Sequence, residues 1–161
     1  MRKILVLMFA LCLAPGLFAQ SGTLQTANVT LSSAQIKSLS TTPVQLVPAP
    51  GDGNTIVVYS LVSSLNFGTA PYTDAGGAVL YLRYDVGPAA AGTACAVLYN
   101  VITASGSETG VDVPNAVINP NPAPIAAVQN KPLVLVNAGS NDFAAGDGTV
   151  KLTITYQVVN Q

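Results

Sequence analysis

Beyond the first 19 residues, apolar side chains recur at every second position in several short runs, and no window of helical length holds the three- and four-residue spacing of an amphipathic helix. Alternation of that kind turns one side of an extended chain toward a core and the other toward solvent, so it predicts strands. The run "TVKLTITYQVV" places Val150, Leu152, Ile154, Tyr156 and Val158 on one side and Lys151, Thr153, Thr155 and Gln157 on the other. "TIVVYSLVSSLNF" predicts the longest strand of the first half, with Val57, Tyr59, Leu61, Leu65 and Phe67 on one face. "AVLYLRYDV" alternates Leu80, Leu82 and Tyr84 against Val79, Tyr81 and Arg83, and "TACAVLYNVI" sets Cys95, Val97, Tyr99 and Val101 on one face.

Shorter elements fill the gaps. Thr23 to Leu31 reads as a leading strand, after which Ser32 or Ser33 can cap a short helical turn carrying Ala34, Ile36 and Leu39. Val44, Leu46 and Val47 form a brief strand ended by Pro48, Pro50, Gly51 and Gly53, because proline brings no ladder donor and glycine favours turns. "GTAPYTDAGG" reads as a loop. The long crossover that follows "NVI" carries brief strands around Val111 to Val113 and Val117 to Ile118. "KPLVLVNAG" and "TVKLTITYQVV" close the chain as two strands around "GSNDFAAGDG", which reads as a hairpin loop. The class is all-β. Residues 20–161 form one domain, a two-sheet antiparallel β-sandwich whose long connections suit a jelly roll.

The N-terminal "MRKILVLMFALCLAPGLFA" has Arg2 and Lys3, an apolar stretch from Ile4 to Leu13, helix-breaking Pro15 and Gly16, and small Ala19. It predicts a signal peptide over residues 1–19 cleaved before Gln20. The apolar stretch is too short to span a bilayer, which takes about 20 residues. The expected destination is secreted or periplasmic in a bacterium, with no membrane attachment after cleavage. Removing two of the six basic residues leaves Lys37, Arg83, Lys131 and Lys151 against seven acids. Scattered bases cannot displace counterions as a nucleic-acid binder must, so no nucleic-acid partner is expected. Charged residues make up 8% of the chain and apolar ones 50%, against about 25% charge in ordinary domains. The surface must then be built from Thr, Ser, Asn, Gln and aliphatic groups.

The chain has no histidine, which removes Ser-His-Asp and Cys-His catalysis and His-ligated zinc. A carboxylate glycosidase is the remaining hydrolase form, but Glu108 is the only glutamate, and Asp52, Asp74 and Asp147 sit in glycine-rich turns where their side chains bond local backbone. Asn141, Asp142 and Asp147 concentrate oxygen donors of the kind calcium takes, without the spacing of an EF-hand. With Cys12 in the leader, Cys95 has no partner for an intramolecular disulfide and reads as a small core residue. No catalytic, metal or cofactor-binding residue is assigned and no cofactor is expected. Tyr72, in the loop "APYTDAGG", is the aromatic best placed for a carbohydrate- or wall-binding role.

The stretch from Val29 to Tyr84 resembles a family of small proteins encoded in tailed phages and prophages. The resemblance rests on Leu31, Ser32 and Ser33, on Thr42 and Pro43, on Pro48, Ala49, Pro50 and Gly51, and on Tyr72 followed by Leu80, Leu82 and Tyr84. "KPLVLVNAGSNDFAAGDGTVKLTITYQVV" is similar to the family's closing strands. The resemblance implies a β-sandwich serving as a virion-associated or surface-displayed structural module, without catalytic residues. The leader is an addition to that pattern, and the two together describe an exported relative that self-associates or binds a surface. A homo-oligomer is expected, a trimer being one form, with a cell-surface or extracellular partner as a further expectation. Val58 and Val62 oppose Tyr59 and Leu61, Val79 and Tyr81 oppose Leu80 and Leu82, and Val134 and Val136 oppose Leu133 and Leu135. Faces apolar on both sides need a second cover.

Overall fold

In a computed structural model of the chain, residues 22–74, 76–84, 93–96, 99–112, 128–139 and 141–160 are described. The leader, Val97, Val113, Val117, Ile118 and the crossover of Pro114 to Pro124 lie outside them, as does the side chain of Cys95. The elements run β1 (Leu24–Leu31), α1 (Ser33–Ile36), β2 (Val44–Val47), β3 (Asn54–Asn66), β4 (Tyr72–Asp74), β5 (Leu80–Tyr84), β6 (Thr93–Ala96), α2 (Tyr99–Ile102), β7 (Thr109–Asp112), β8 (Leu133–Asn137), β9 (Phe143–Ala145) and β10 (Thr149–Asn160).

The alternation seen in the sequence builds two four-stranded sheets, β1-β10-β3-β7 and β2-β8-β5-β6, in which every pairing is antiparallel. Their facing sides share one core. From the first sheet come Leu31, Ile56, Leu61, Leu65, Val150, Leu152 and Ile154, and from the second Leu46, Val47, Leu80, Leu82, Leu133 and Leu135. Burying each of these side chains contributes about 1.5–3 kcal/mol. Ile36 and Leu39 from the α1 turn, and Val101 and Ile102 of α2, join the same cluster. The chain is an all-β sandwich.

The α1 turn forms where its cap allows. Ser32 Oγ accepts from the Gln35 backbone N–H at 3.3 Å, while Gln35 Oε1 accepts from the Ser32 N–H at 3.0 Å. Two otherwise unpaired donors are satisfied reciprocally. Ala34 stays exposed, and Ile36 alone of the helical residues is buried.

The longest strand departs from a single alternating face. β10 pairs with β3 in continuous register until Thr155 opposes Ser60 and Tyr156 opposes Val58, so Tyr59 is an extra residue. Such a bulge moves every side chain beyond it to the other face. Ile56 and Val58 therefore face the core on one side of it, and Leu61, Ser63 and Leu65 on the other, while Val57 is half-buried and Tyr59 is 48% exposed. The expectation that Val57 and Tyr59 share a face with Leu61 is corrected accordingly.

Four further expectations change. Val134 and Val136 are 1% and 7% exposed within the single chain, so β8 needs no second molecule to cover it. The strand expected through Tyr99 and Val101 stops at Ala96, and Tyr99–Ile102 forms α2, a turn that buries the adjacent Val101 and Ile102 together. β8 and β10 lie in different sheets, so the segment between them is a crossover and not a hairpin loop. That segment and the loop after β3 also contribute β9 and β4, which pair as a small sheet of their own with Tyr72 opposite Ala145 and Asp74 opposite Phe143.

Two substitutions check the core. Leu152 is fully buried, so Leu152→Ala is expected to lower unfolding stability by about 2–5 kcal/mol. Ser63 is fully buried with an unpaired hydroxyl, so Ser63→Ala is expected to leave stability unchanged or raise it by about 1 kcal/mol. Urea unfolding of both proteins measures the contrast.

Candidate functional site

The described aspartates with resolved side chains hold loops together. Asp147 accepts from the Thr69 N–H at 2.8 Å, the Thr69 hydroxyl at 2.6 Å and the Ala70 N–H at 3.0 Å, tying the loop after β3 to the turn before β10. The Thr69 hydroxyl, followed by the backbone N–H groups of Ala70 and Thr69, lowers its pKa from 3.8 to about 2. Asp142 accepts from the Ser40 N–H at 2.7 Å and also from the Ser40 hydroxyl. Asp74 accepts from the N–H groups of Gly76 and Gly77 at 2.9 and 3.2 Å. Asp52 accepts from Asn130 Nδ2 at 2.5 Å.

These partners decide the metal and hydrolase candidates. Asn141 donates to the Gly76 carbonyl at 2.7 Å, Asp142 turns to Ser40 and Asp147 to Thr69, so the three oxygen donors serve separate contacts. Among the described residues no group of three His, Cys, Asp or Glu side chains could hold a metal ion. Glu108 is exposed on the segment before β7, where its carbonyl accepts from the Leu65 N–H at 2.8 Å. The aspartates singled out with it, Asp52, Asp74 and Asp147, bond Asn130, the Gly76 and Gly77 backbone, and Thr69.

Tyr72 is where sequence and structure differ most. It is 3% exposed, donates its hydroxyl to the Gly148 carbonyl at 2.6 Å, and meets the Phe143 ring edge-on at 6.3 Å between centroids. Burial first, and the Asp147 charge second, raise its pKa. It is a core residue and offers no face to a sugar. Of the other tyrosines, Tyr84 donates to the Ile56 carbonyl at 2.6 Å, Tyr81 lies 5.2 Å below the Arg83 guanidinium, and exposed Tyr59 donates to Gln157 Oε1 at 2.8 Å. They are dispersed and form no stacking platform.

What the fold does assemble is a face. The outward side chains of the first sheet line up in rows across the strands: Thr26, Thr155 and Ser60; Asn28, Thr153, Val62 and Val111; Thr30, Lys151, Ser64 and Thr109. Thr153 Oγ1 donates to Asn28 Oδ1 at 2.8 Å and the Ser64 and Thr109 hydroxyls lie 2.9 Å apart, which fixes rotamers along the rows. Lys151 is their only charge, and Val111 is 61% exposed. Sequence reading identified the polar side of β10 but not this surface, because the rows exist only once the strand order is known. The signal available was the charge-free alternation of residues 23–31 beside that of residues 149–157, where Lys151 is the one charge.

No family model matches the chain, and no curated protein matches it significantly. Among solved structures, a chain of the "Cyanophage Pam1 capsid asymmetric unit" is similar, with a TM-score of 0.46 and 17% identity over 89% of this chain and 90% of that one. At that score and identity the likeness carries no weight for function, which rests on the chain's own surfaces.

Two measurements follow from Asp147 and Tyr72. The folded carboxyl of Asp147 has a pKa of about 2 against 3.8 for the free group, so the folded state binds fewer protons than the unfolded one between those values. Its contribution is present above the unfolded pKa and is lost as pH falls toward the folded one. Thermal unfolding midpoints should drop between pH 4 and 2, less steeply in Asp147→Asn (roughly this window by the linkage relation). Tyr72→Phe removes the bond to Gly148 and should cost about 1–3 kcal/mol, since it leaves a buried carbonyl unpaired.

Proposed function

We propose that the chain is a non-enzymatic structural module, exported by a bacterium, that assembles with copies of itself or lies against another surface outside the cell. The observation that carries this reading is the outer face of the first sheet, four strands wide and built from Thr, Ser, Asn and Val with Lys151 as its one charge. Single-sign charge keeps surfaces apart, and this face has almost none. Two of its polar pairs, Thr153 with Asn28 and Ser64 with Thr109, already bond each other, which orders part of the face before any contact is made. The burial of Val134 and Val136 removes them from the expected second faces, which leaves Val62 on the first sheet's outer face and exposed Val79.

The strand order supports a jelly-roll reading. With the small β4-β9 sheet set aside, each step between successive described strands of the two large sheets changes sheet except the one from β5 to β6. Jelly rolls serve capsid and lectin domains alike, so the topology does not choose between assembly and sugar binding. The fate of Tyr72 favours assembly, because the aromatic expected to meet a sugar is in the core. The resemblance of Val29 to Tyr84 to phage and prophage proteins points the same way.

Light scattering on protein recovered from a bacterial host should find a multimer of fixed stoichiometry, a trimer among the forms expected. A monodisperse monomer at high micromolar concentration would overturn the assembly reading. Mass analysis of the same sample should find a chain beginning at Gln20, and a species still carrying Met1 would overturn the export reading.

A further inference from the structure

We infer that two copies of the chain join edge to edge through β1, antiparallel about a twofold axis at Asn28, so that the first sheet continues from one copy into the other. The inference rests on the assembly reading above and names the surface that assembles. Among the described residues β1 is the outermost strand of its sheet, eight residues long, and it pairs with β10 without a break in register. Its sequence, LQTANVTL, contains no charge and no proline. An edge of that kind presents an open row of N–H and C=O groups, which only another strand fills completely.

The other edges of the large sheets are guarded. β7 is described over Thr109–Asp112, carries the acidic Asp112 and is followed in sequence by Pro114. β2 has four residues between Pro43 and Pro48, and its pairing with β8 slips between Gln45 and Val47. β6, described over Thr93–Ala96, has a register shift where it meets β5. Shortness, proline, bulges and charge are the devices by which natural sheets block edge pairing, and β1 has none of them.

The strand itself identifies a second copy as the occupant. Thr26, Ala27, Asn28, Val29 and Thr30 are symmetric by side-chain type about Asn28. Antiparallel pairing centred there places Thr26 opposite Thr30 of the second copy, Ala27 opposite Val29, and Asn28 opposite itself. Directly opposed residues point to the same face, so half-buried Ala27 and Val29 stay on the core side and exposed Thr26, Asn28 and Thr30 on the outer side. A slip of one residue would set apolar positions against polar ones on both faces. The contact is self-complementary, as a twofold interface requires, and opposes no like charges.

Charge exchange across the axis tests this. In Thr26→Lys/Thr30→Lys the new ammonium groups face one another, and sedimentation should show association weakened roughly tenfold or more, from two like-charge cross-strand pairs. In Thr26→Lys/Thr30→Glu each ammonium faces a carboxylate of the other copy, and association should return to within a few-fold of the unmodified protein. Far-UV circular dichroism and thermal unfolding confirm that both variants fold. Association of both at the unmodified strength, equal weakening of both, or a trimer in the unmodified protein would each overturn the twofold β1 contact while leaving assembly standing. A monomeric unmodified protein would remove both readings together.

Discussion

The pairing of β3 with β10 is the constraint from which the rest of the sandwich hangs. It joins residues 54–66 to residues 149–160 over nearly the full length of both strands, and β1 and β7 attach only to its two sides. Because β1 touches its sheet through β10 and β7 through β3, loss of that central ladder would separate the sheet into strands that cannot bury a face alone. The core side chains of β3 and β10 face those of β8 and β5 across the sandwich, so the second sheet depends on the same ladder for its cover. The bulge at Tyr59 is tolerated within it because both flanking stretches still deliver apolar residues inward, Ile56 and Val58 on one side and Leu61 and Leu65 on the other.

With so few charges, the chain uses its carboxylates as fasteners. Asp147 ties the loop after β3 to the turn before β10, Asp142 ties the β8–β9 connection to Ser40 after α1, and Asp52 meets Asn130. Each spans a large separation in sequence, and Asp147 and Asp142 also satisfy backbone donors that no strand would pair. Groups committed in this way are poor acids and bases for a substrate. The outer surface is left to hydroxyl and amide groups, whose affinity for another molecule depends on shape and register more than on charge.

The strands were legible wherever one face alternates cleanly with the other. β1, β2 and the first half of β10 follow directly from their patterns, β5 and β8 from apolar runs bounded by turn residues, and the α1 turn from a cap at Ser32 or Ser33. What escaped was set by distant contacts. The Tyr59 bulge depends on how β3 meets β10, and nothing local to "VVYSLV" announces it. β4 and β9 are three-residue strands that exist only because two loops meet. Tyr72 sits beside Pro71 in a turn-rich stretch and reads as exposed. It is buried because Gly146 lets the ring lie where a Cβ would come within 2.2 Å of it, and Gly146 holds a φ of +68° that glycine adopts without strain. The outer face was half legible: its polar residues are plain in the sequence, but their adjacency is a property of strand order.

That order has a consequence for the making of the protein. β10 comes after every other strand in sequence yet sits between β1 and β3, with a neighbour on each side. The earlier strands cannot form the completed sheet among themselves; the slot stays open until residues 149–160 arrive. Until that strand is made, the rows on β1 and β3 stay unpaired, and its arrival closes the sheet between them.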